Sequence, residues 1–179
     1  MSQIKPFQAY RPKPQLAGKL ASVPYDVINT KEARQLAEGN PVSFLHVARP
    51  EINLPEGVDE HSDEVYAAGV NALKKLIAEG TLLHEDKPCL YVYQQRMGDH
   101  VQAGLVCLCS VKEYESDLIK KHEYTRKDKE DDRARHVAEQ NANAEPVFLA
   151  YRSVPHIDAL VDQAMFERGD YDPTWSVSR

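Results

Sequence analysis

The residues best equipped for chemistry in this 179-residue chain lie in one run, from Ile119 to Arg133. Lys120, Lys121, Arg126, Lys127, Lys129 and Arg133 supply positive charge, with Arg135 just beyond. Glu123, Asp128, Glu130, Asp131 and Asp132 supply negative charge, and His122 stands among them. Cations can hold phosphate oxygens, and carboxylates can hold a metal or take a proton from a hydroxyl. Phosphoryl transfer needs such groups in one place. Within the run Glu123 is the candidate general base, His122 a donor to a phosphate oxygen, and Lys121 and Arg126 the balance for a phosphoryl donor's charge. The same residues also describe a solvated helix start laced with ion pairs, and on residue type alone that description is the stronger one. Asp131, Asp132 and Arg133 open a helix, where acidic side chains near the N-terminus are stabilising with no chemistry attached.

Two smaller candidates stand earlier. Asp26, in Pro24-Tyr25-Asp26, can contact a ligand or cap a turn, and a proline-fixed segment favours the turn. Arg49, in Arg49-Pro50-Glu51, follows an apolar run, and strand ends are where α/β sites gather; a surface ion pair is an equal alternative. The glycine-rich phosphate loop, the Gly-x-Ser-x-Gly elbow, His-Glu-x-x-His and the calcium-loop pattern are all missing from the sequence.

The elements that must position these groups are legible in the patterning. Pro6, Pro12, Pro14 and Pro24 keep the first part irregular. Thr30 reads as an N-cap for a short helix over 31–38, closed by Gly39-Asn40. Residues 42–47 are strand-like, and a polar loop with Pro55 and Gly57 follows. Over 59–79 a stripe of Val65, Ala68, Ala72, Leu73, Leu76 and Ile77 at spacings of three and four predicts a helix, with Gly69 marking close packing. Residues 88–94 and 101–110 form a hairpin about Met97-Gly98-Asp99, the second strand apolar enough to lie centrally. Ser110 caps a short turn over 111–117. A helix over 127–140, a strand over 146–152 and a last helix from Val154-Pro155-His156 complete the order. The expected fold is an α/β (α+β) domain, a mixed sheet with a central hairpin and flanking helices, with 1–179 as a single domain.

Composition narrows the partners. A hydrophobic content of 42% and a charged content of 28% are those of an ordinary globular protein. A net charge of −6 disfavours non-specific nucleic-acid binding, which needs a positive face. No apolar run approaches the roughly 20 residues that cross a bilayer, so no membrane partner is expected. Cys89, Cys107 and Cys109 are an odd set with no signal peptide ahead of them, which fits a cytoplasmic protein. Cys107-x-Cys109 is half of a metal site by spacing, but no second cluster of Cys or His follows it.

Several segments together resemble the bacterial and archaeal family catalogued as domain of unknown function 1015. They are Ser22-Val23-Pro24-Tyr25-Asp26-Val27, the run from Asn40 to Glu51, Leu90 to Gln95, Ile119 to Thr125 with Lys129 and Asp131-Asp132-Arg133, and Pro146-Val147-Phe148-Leu149. That family is similar to the ParB/sulfiredoxin-like superfamily, which includes free serine kinases. The resemblance implies a phosphotransferase that moves a phosphoryl group from a nucleotide or pyrophosphate to free L-serine, with Mg2+. It implies Glu123 as the base or a carboxylate near the metal, His122, Lys121, Arg126 and Arg133 as phosphate-handling residues, and Asp26 and Arg49 as the frame of the pocket. It also implies a later Asp-Gly-His-His-Arg motif, which these 179 residues lack. The chain is therefore expected to be the N-terminal part of a longer protein, with little kinase activity alone. The alternative is a non-catalytic ParB-like module that binds a nucleotide or nucleic acid and regulates.

Overall fold

The computed structural model describes residues 2–122 and 124–167, without the side chains at 166 and 167. Helices and small antiparallel sheets make up an α/β (α+β) arrangement. In chain order the elements are β1 (Ile4–Lys5), β2 (Tyr10–Pro12), α1 (Ala17–Leu20), α2 (Thr30–Ala37), α3 (Leu45–Ala48), α4 (Asp63–Ala78), β3 (Leu82–His84), β4 (Tyr91–Met97), β5 (His100–Val106), β6 (Leu108–Cys109), α5 (Val111–Glu115), α6 (Lys127–Gln140) and α7 (Pro155–Glu167). Turns of 3-10 helix lie at Pro14–Leu16, Tyr25–Val27 and Pro50–Asn53. The expected sheet is divided into three two-stranded pieces, β1 with β6, β2 with β3, and β4 with β5. The described residues gather into two compact units, one of residues 2–9, 84–122, 124 and 146–167, the other of 10–83 and 125–145. Among them no helix is long and apolar enough to cross a membrane.

The unit of residues 10–83 and 125–145 holds the main core. Residues 42–47, expected as a strand, instead lead into the short helix α3. A brief apolar run does not separate a strand from a buried helical turn by periodicity, and among the described residues this one pairs with no strand. The helix is buried from both sides. Leu45 packs with Val23, Ala33, Ala37 and Ile52, and Val47 packs with Leu20, Leu76 and Leu82. Burying side chains of this size contributes about 1.5–3 kcal/mol each, which outweighs the weak helical preference of four residues. Helix α2 starts one residue earlier than expected. Asn29 Oδ1 accepts from the Glu32 amide at 3.0 Å while Glu32 Oε2 accepts from the Asn29 amide at 2.8 Å, a reciprocal cap. Thr30 is thereby released from capping, and its hydroxyl turns to other partners.

Helix α4 lies where its apolar stripe predicts, and Gly69 explains how closely it packs. A Cβ there would meet Pro50 Cγ at 3.1 Å and Gln140 Nε2 at 3.2 Å. Pro50 is among the most deeply buried side chains and cannot yield without moving its turn. Overpacking costs about 1–3 kcal/mol, against a gain of about 1 kcal/mol in helix propensity. Gly69→Ala is therefore expected to lose about 1 kcal/mol in urea unfolding, the difference of those terms; a stabilised variant would show that the contact has slack.

In the other unit, β4 and β5 pair antiparallel from Tyr91↔Val106 to Met97↔His100. They turn through Gly98-Asp99, with Gly98 at φ +60°, where a side chain would be strained. The apolar stretch 101–110 is not central as expected. It breaks at Cys107 into β5, which among the described residues pairs with β4 alone, and β6, which pairs with β1. Tyr91 ties the N-terminal segment down, its hydroxyl donating to the Phe7 carbonyl at 3.0 Å and accepting from the Ala9 amide at 2.9 Å. Residues 146–152 form no strand, and Val147 and Phe148 are 82% and 75% exposed. Helix α7 buries Val161 and packs on the hairpin.

Candidate functional site

Helix α6 divides the charged run in two. Its first turn is a solvated helix start. Arg126 grips Asp128 through two hydrogen bonds of 3.1 and 2.7 Å, and Lys127 pairs with Asp131 at 2.6 Å, all on exposed side chains. Arg126 and Asp131 thus follow the plain ion-pair description. One residue further on the helix turns inward. Asp132 keeps only 10% of its side chain exposed, so the capping role expected of it does not hold.

Asp132 is the hub of a buried polar cluster between α4 and α6. Its Oδ1 accepts from the Tyr66 hydroxyl at 2.7 Å and faces His61 Nδ1 at 3.1 Å. Its Oδ2 accepts from Arg133 Nε at 3.0 Å and Nη2 at 2.6 Å. His136, one helical turn on, is buried beside it, with Nε2 3.8 Å from Oδ1 and its ring 4.7 Å from that of Tyr66. Burial by itself would raise the Asp132 carboxyl, but the bonds from Tyr66 and Arg133 outweigh it and hold the group down to about 2. Burial pushes the His136 imidazole down to about 4, aided by Arg133 and opposed by Asp132. Burial and the bond to Asp132 push the Tyr66 hydroxyl up to about 12. Near neutrality the cluster holds a fixed anion, a neutral imidazole and a neutral phenol.

Two arginines lie on aromatic faces at its edge. Arg133 stands 4.1 Å over the Tyr25 ring and Arg135 stands 4.0 Å over Tyr66. Arg135 is also bonded to Asp63. Arg133 Nη1 lies 3.6 Å from Glu145 Oε2. Burial raises the Glu145 carboxyl against the opposing charge of Arg133. Asp26, exposed on the Tyr25–Val27 turn, adds a negative charge felt by both Tyr25 and Glu145.

Arg49 belongs to a second knot in the same unit. It follows a helix rather than a strand end. Its Nε lies 2.9 Å from the buried Glu51 without a directed hydrogen bond, its Nη2 donates to Thr30 Oγ1 at 2.9 Å, and Glu60 lies 3.7 Å away. Thr30 Oγ1 in turn reaches Glu60 at 2.7 Å and Glu51 at 3.2 Å. Two carboxylates therefore balance Arg49. Glu60 and His61, neighbours in sequence, enter the two knots separately.

Of the expected site residues, Arg133 lies within the Asp132 cluster, Asp26 at its margin and Arg49 in the second knot. Lys121 and His122 belong to the other unit, where both are exposed and Lys121 sits 4.8 Å over the Tyr114 ring. Glu123, the expected base, lies outside the described residues. Sequence reasoning missed Tyr66, His136, His61 and Glu145. The spacing Asp132-x-x-x-His136 was an available signal, since residues four apart share a helix face. His61 and Glu60, in a polar loop, carried none. Among the described residues no group of three His, Cys, Asp or Glu is arranged to hold a metal ion.

Comparison with curated proteins and with solved structures finds no match to the chain. The family described as Protein of unknown function (DUF1015) matches residues 4–176, and the chain belongs to that family.

Proposed function

We propose that the protein takes part in phosphoryl transfer to a small hydroxyl acceptor, with Arg133 gripping the phosphoryl group. Free L-serine is the acceptor and a nucleotide or pyrophosphate the donor that the resemblance to ParB/sulfiredoxin-like serine kinases implies. The supporting observation is the setting of Arg133. Asp132 holds one edge of its guanidinium and the Tyr25 ring backs its face, while Nη1 points to a carboxylate at 3.6 Å. A pre-set guanidinium fork suits phosphate oxygens, because its orientation is fixed before the ligand arrives. The Glu145 carboxylate marks the place that a ligand oxyanion would take. Mg2+ would enter on the donor's phosphates with most of its water, as this cation commonly does, and would neutralise charge on the transferring group. Of the residues to which the resemblance gives phosphate contact or framing of the pocket, Asp26, Arg49, Arg126 and Arg133 lie in this one unit.

The test is calorimetric titration with pyrophosphate, ADP and ATP in the presence of Mg2+, followed by 31P NMR detection of O-phosphoserine when L-serine is added. Arg133→Lys keeps the charge but loses the fork. It is expected to weaken donor binding about tenfold, or about 1.4 kcal/mol, with the circular dichroism spectrum unchanged. Failure of all three donors to bind overturns the proposal.

A further inference from the structure

We propose that His61 is the proton-transfer group for the acceptor hydroxyl, with Asp132 as its positioning residue; this rests on the phosphoryl-transfer function proposed above. The inference comes from the geometry of one hydrogen bond. Asp132 is enclosed, and its two oxygens already accept from Tyr66 and Arg133. A carboxylate only accepts, so the His61 nitrogen 3.1 Å from Oδ1 must carry the proton. In the neutral ring that places the hydrogen on Nδ1 and leaves the lone pair on Nε2. The side chain is 57% exposed, which leaves the ring accessible to a ligand. A buried aspartate holding a histidine in one tautomer while its second nitrogen faces the reactants is the arrangement that equips an imidazole to act as a base.

The backbone reinforces the placement. The His61 amide donates to Asp59 Oδ1 at 3.0 Å, which fixes the turn ahead of α4. Arg133, the proposed phosphate grip, and His61 are held by opposite oxygens of the same carboxylate, Oδ2 and Oδ1. One residue therefore sets both the charge that would hold the donor and the base that would serve the acceptor. In the step, Nε2 takes the proton from the acceptor hydroxyl as its oxygen bonds to phosphorus. The bond from phosphorus to the donor's bridging oxygen breaks, and the leaving phosphate or nucleotide keeps that electron pair. Asp132 stabilises the imidazolium that results. Asp132, His136, Arg133, Arg135 and Tyr66 on the facing helices, with Asp59, Glu60 and Asp63 beside His61, are the charged and titratable groups around it.

The experiment has two arms on the full chain. In the first, 15N-resolved NMR of the imidazoles reads the His61 tautomer at pH 8. Hydrogen on Nδ1 in the wild type, lost in Asp132→Asn, is expected; hydrogen on Nε2 in the wild type overturns the inference whatever the activity. In the second, 31P NMR follows phosphoryl transfer to L-serine. His61→Ala is expected to lower kcat about 100-fold, the usual scale of general base catalysis, with KM for the donor within threefold and partial rescue by added imidazole. A wild type that transfers while His61→Ala keeps kcat within twofold overturns the role of His61 and leaves the phosphoryl-transfer function standing. A wild type that binds none of pyrophosphate, ADP and ATP overturns both.

Discussion

Lowering the pH from 7 to 4 is expected to remove about 3 kcal/mol of folding stability through His136 alone. In an unfolded chain a histidine takes its proton near 6.5. In the folded protein His136 resists protonation until about 4. Between those values the unfolded state binds more protons, so stability falls as pH falls, by up to about 1.4 kcal/mol per pH unit. Below about 4 both states hold the proton, and the loss from this residue is complete. Asp132 opens a second window with the same sign. Its carboxyl stays ionised down to about 2 when folded but takes a proton near 3.8 when unfolded, so stability is lost further as pH falls through that range. Glu145 acts in the opposite sense, because its raised carboxyl binds a proton first in the folded state. The comparison of wild type with His136→Phe isolates the histidine from the rest. Phenylalanine fills the place beside Tyr66 and cannot titrate. Urea unfolding at pH 7, 5.5 and 4 should show a steep loss in the wild type and a shallower one in the variant. Equal slopes would mean that His136 takes its proton at the same pH in the folded and unfolded chain.

The sequence made the long elements plain and the contacts between them obscure. Helix α4 followed from its stripe and α6 from its composition, since each has enough turns for a periodic signal. The stretch 42–47 was misread because α3 is only four residues long and buried on both sides, so its apolar run has no period to detect. The strand expected over 146–152 failed for another reason, as its residues pair with no strand and stand exposed. Within the site, Arg133 was chosen for its charge and proved to have fixed partners. Asp132 was set aside as a helix-start carboxylate, because residue type cannot say which of two adjacent aspartates faces inward. Asp131 takes the solvated place beside Lys127, and Asp132 takes the buried one beside Tyr66. What decides between them is the angular position of α4, 66 residues away in the chain for the Tyr66 contact, which no local pattern records.

Asp132→Ala is expected to cost about 3 kcal/mol of stability, at the lower end of what the loss of one partner from a buried ion pair costs. The change strands three donors. The Tyr66 hydroxyl is buried and loses its acceptor. Arg133 loses both bonds from Nε and Nη2, though Glu145 near Nη1 keeps it from being wholly unpaired. His61 is exposed enough for water to replace the carboxylate. Tyr66→Phe removes one donor and leaves Asp132 with the rest, so about 1 kcal/mol is expected there. The double variant should cost less than the sum of the two, because each single change already breaks the shared bond, and a coupling of about 1 kcal/mol is the expected scale for groups in direct contact. The magnitude for Asp132→Ala separates two pictures of this residue. A carboxylate that only complements a helix N-terminus contributes about 0.3–1 kcal/mol, and its loss would leave Arg133 and Tyr66 undisturbed. A cost no larger than that of Tyr66→Phe, with no coupling between the two, would return Asp132 to that modest role. It would also remove the fixed anion on which the orientation of both Arg133 and His61 depends.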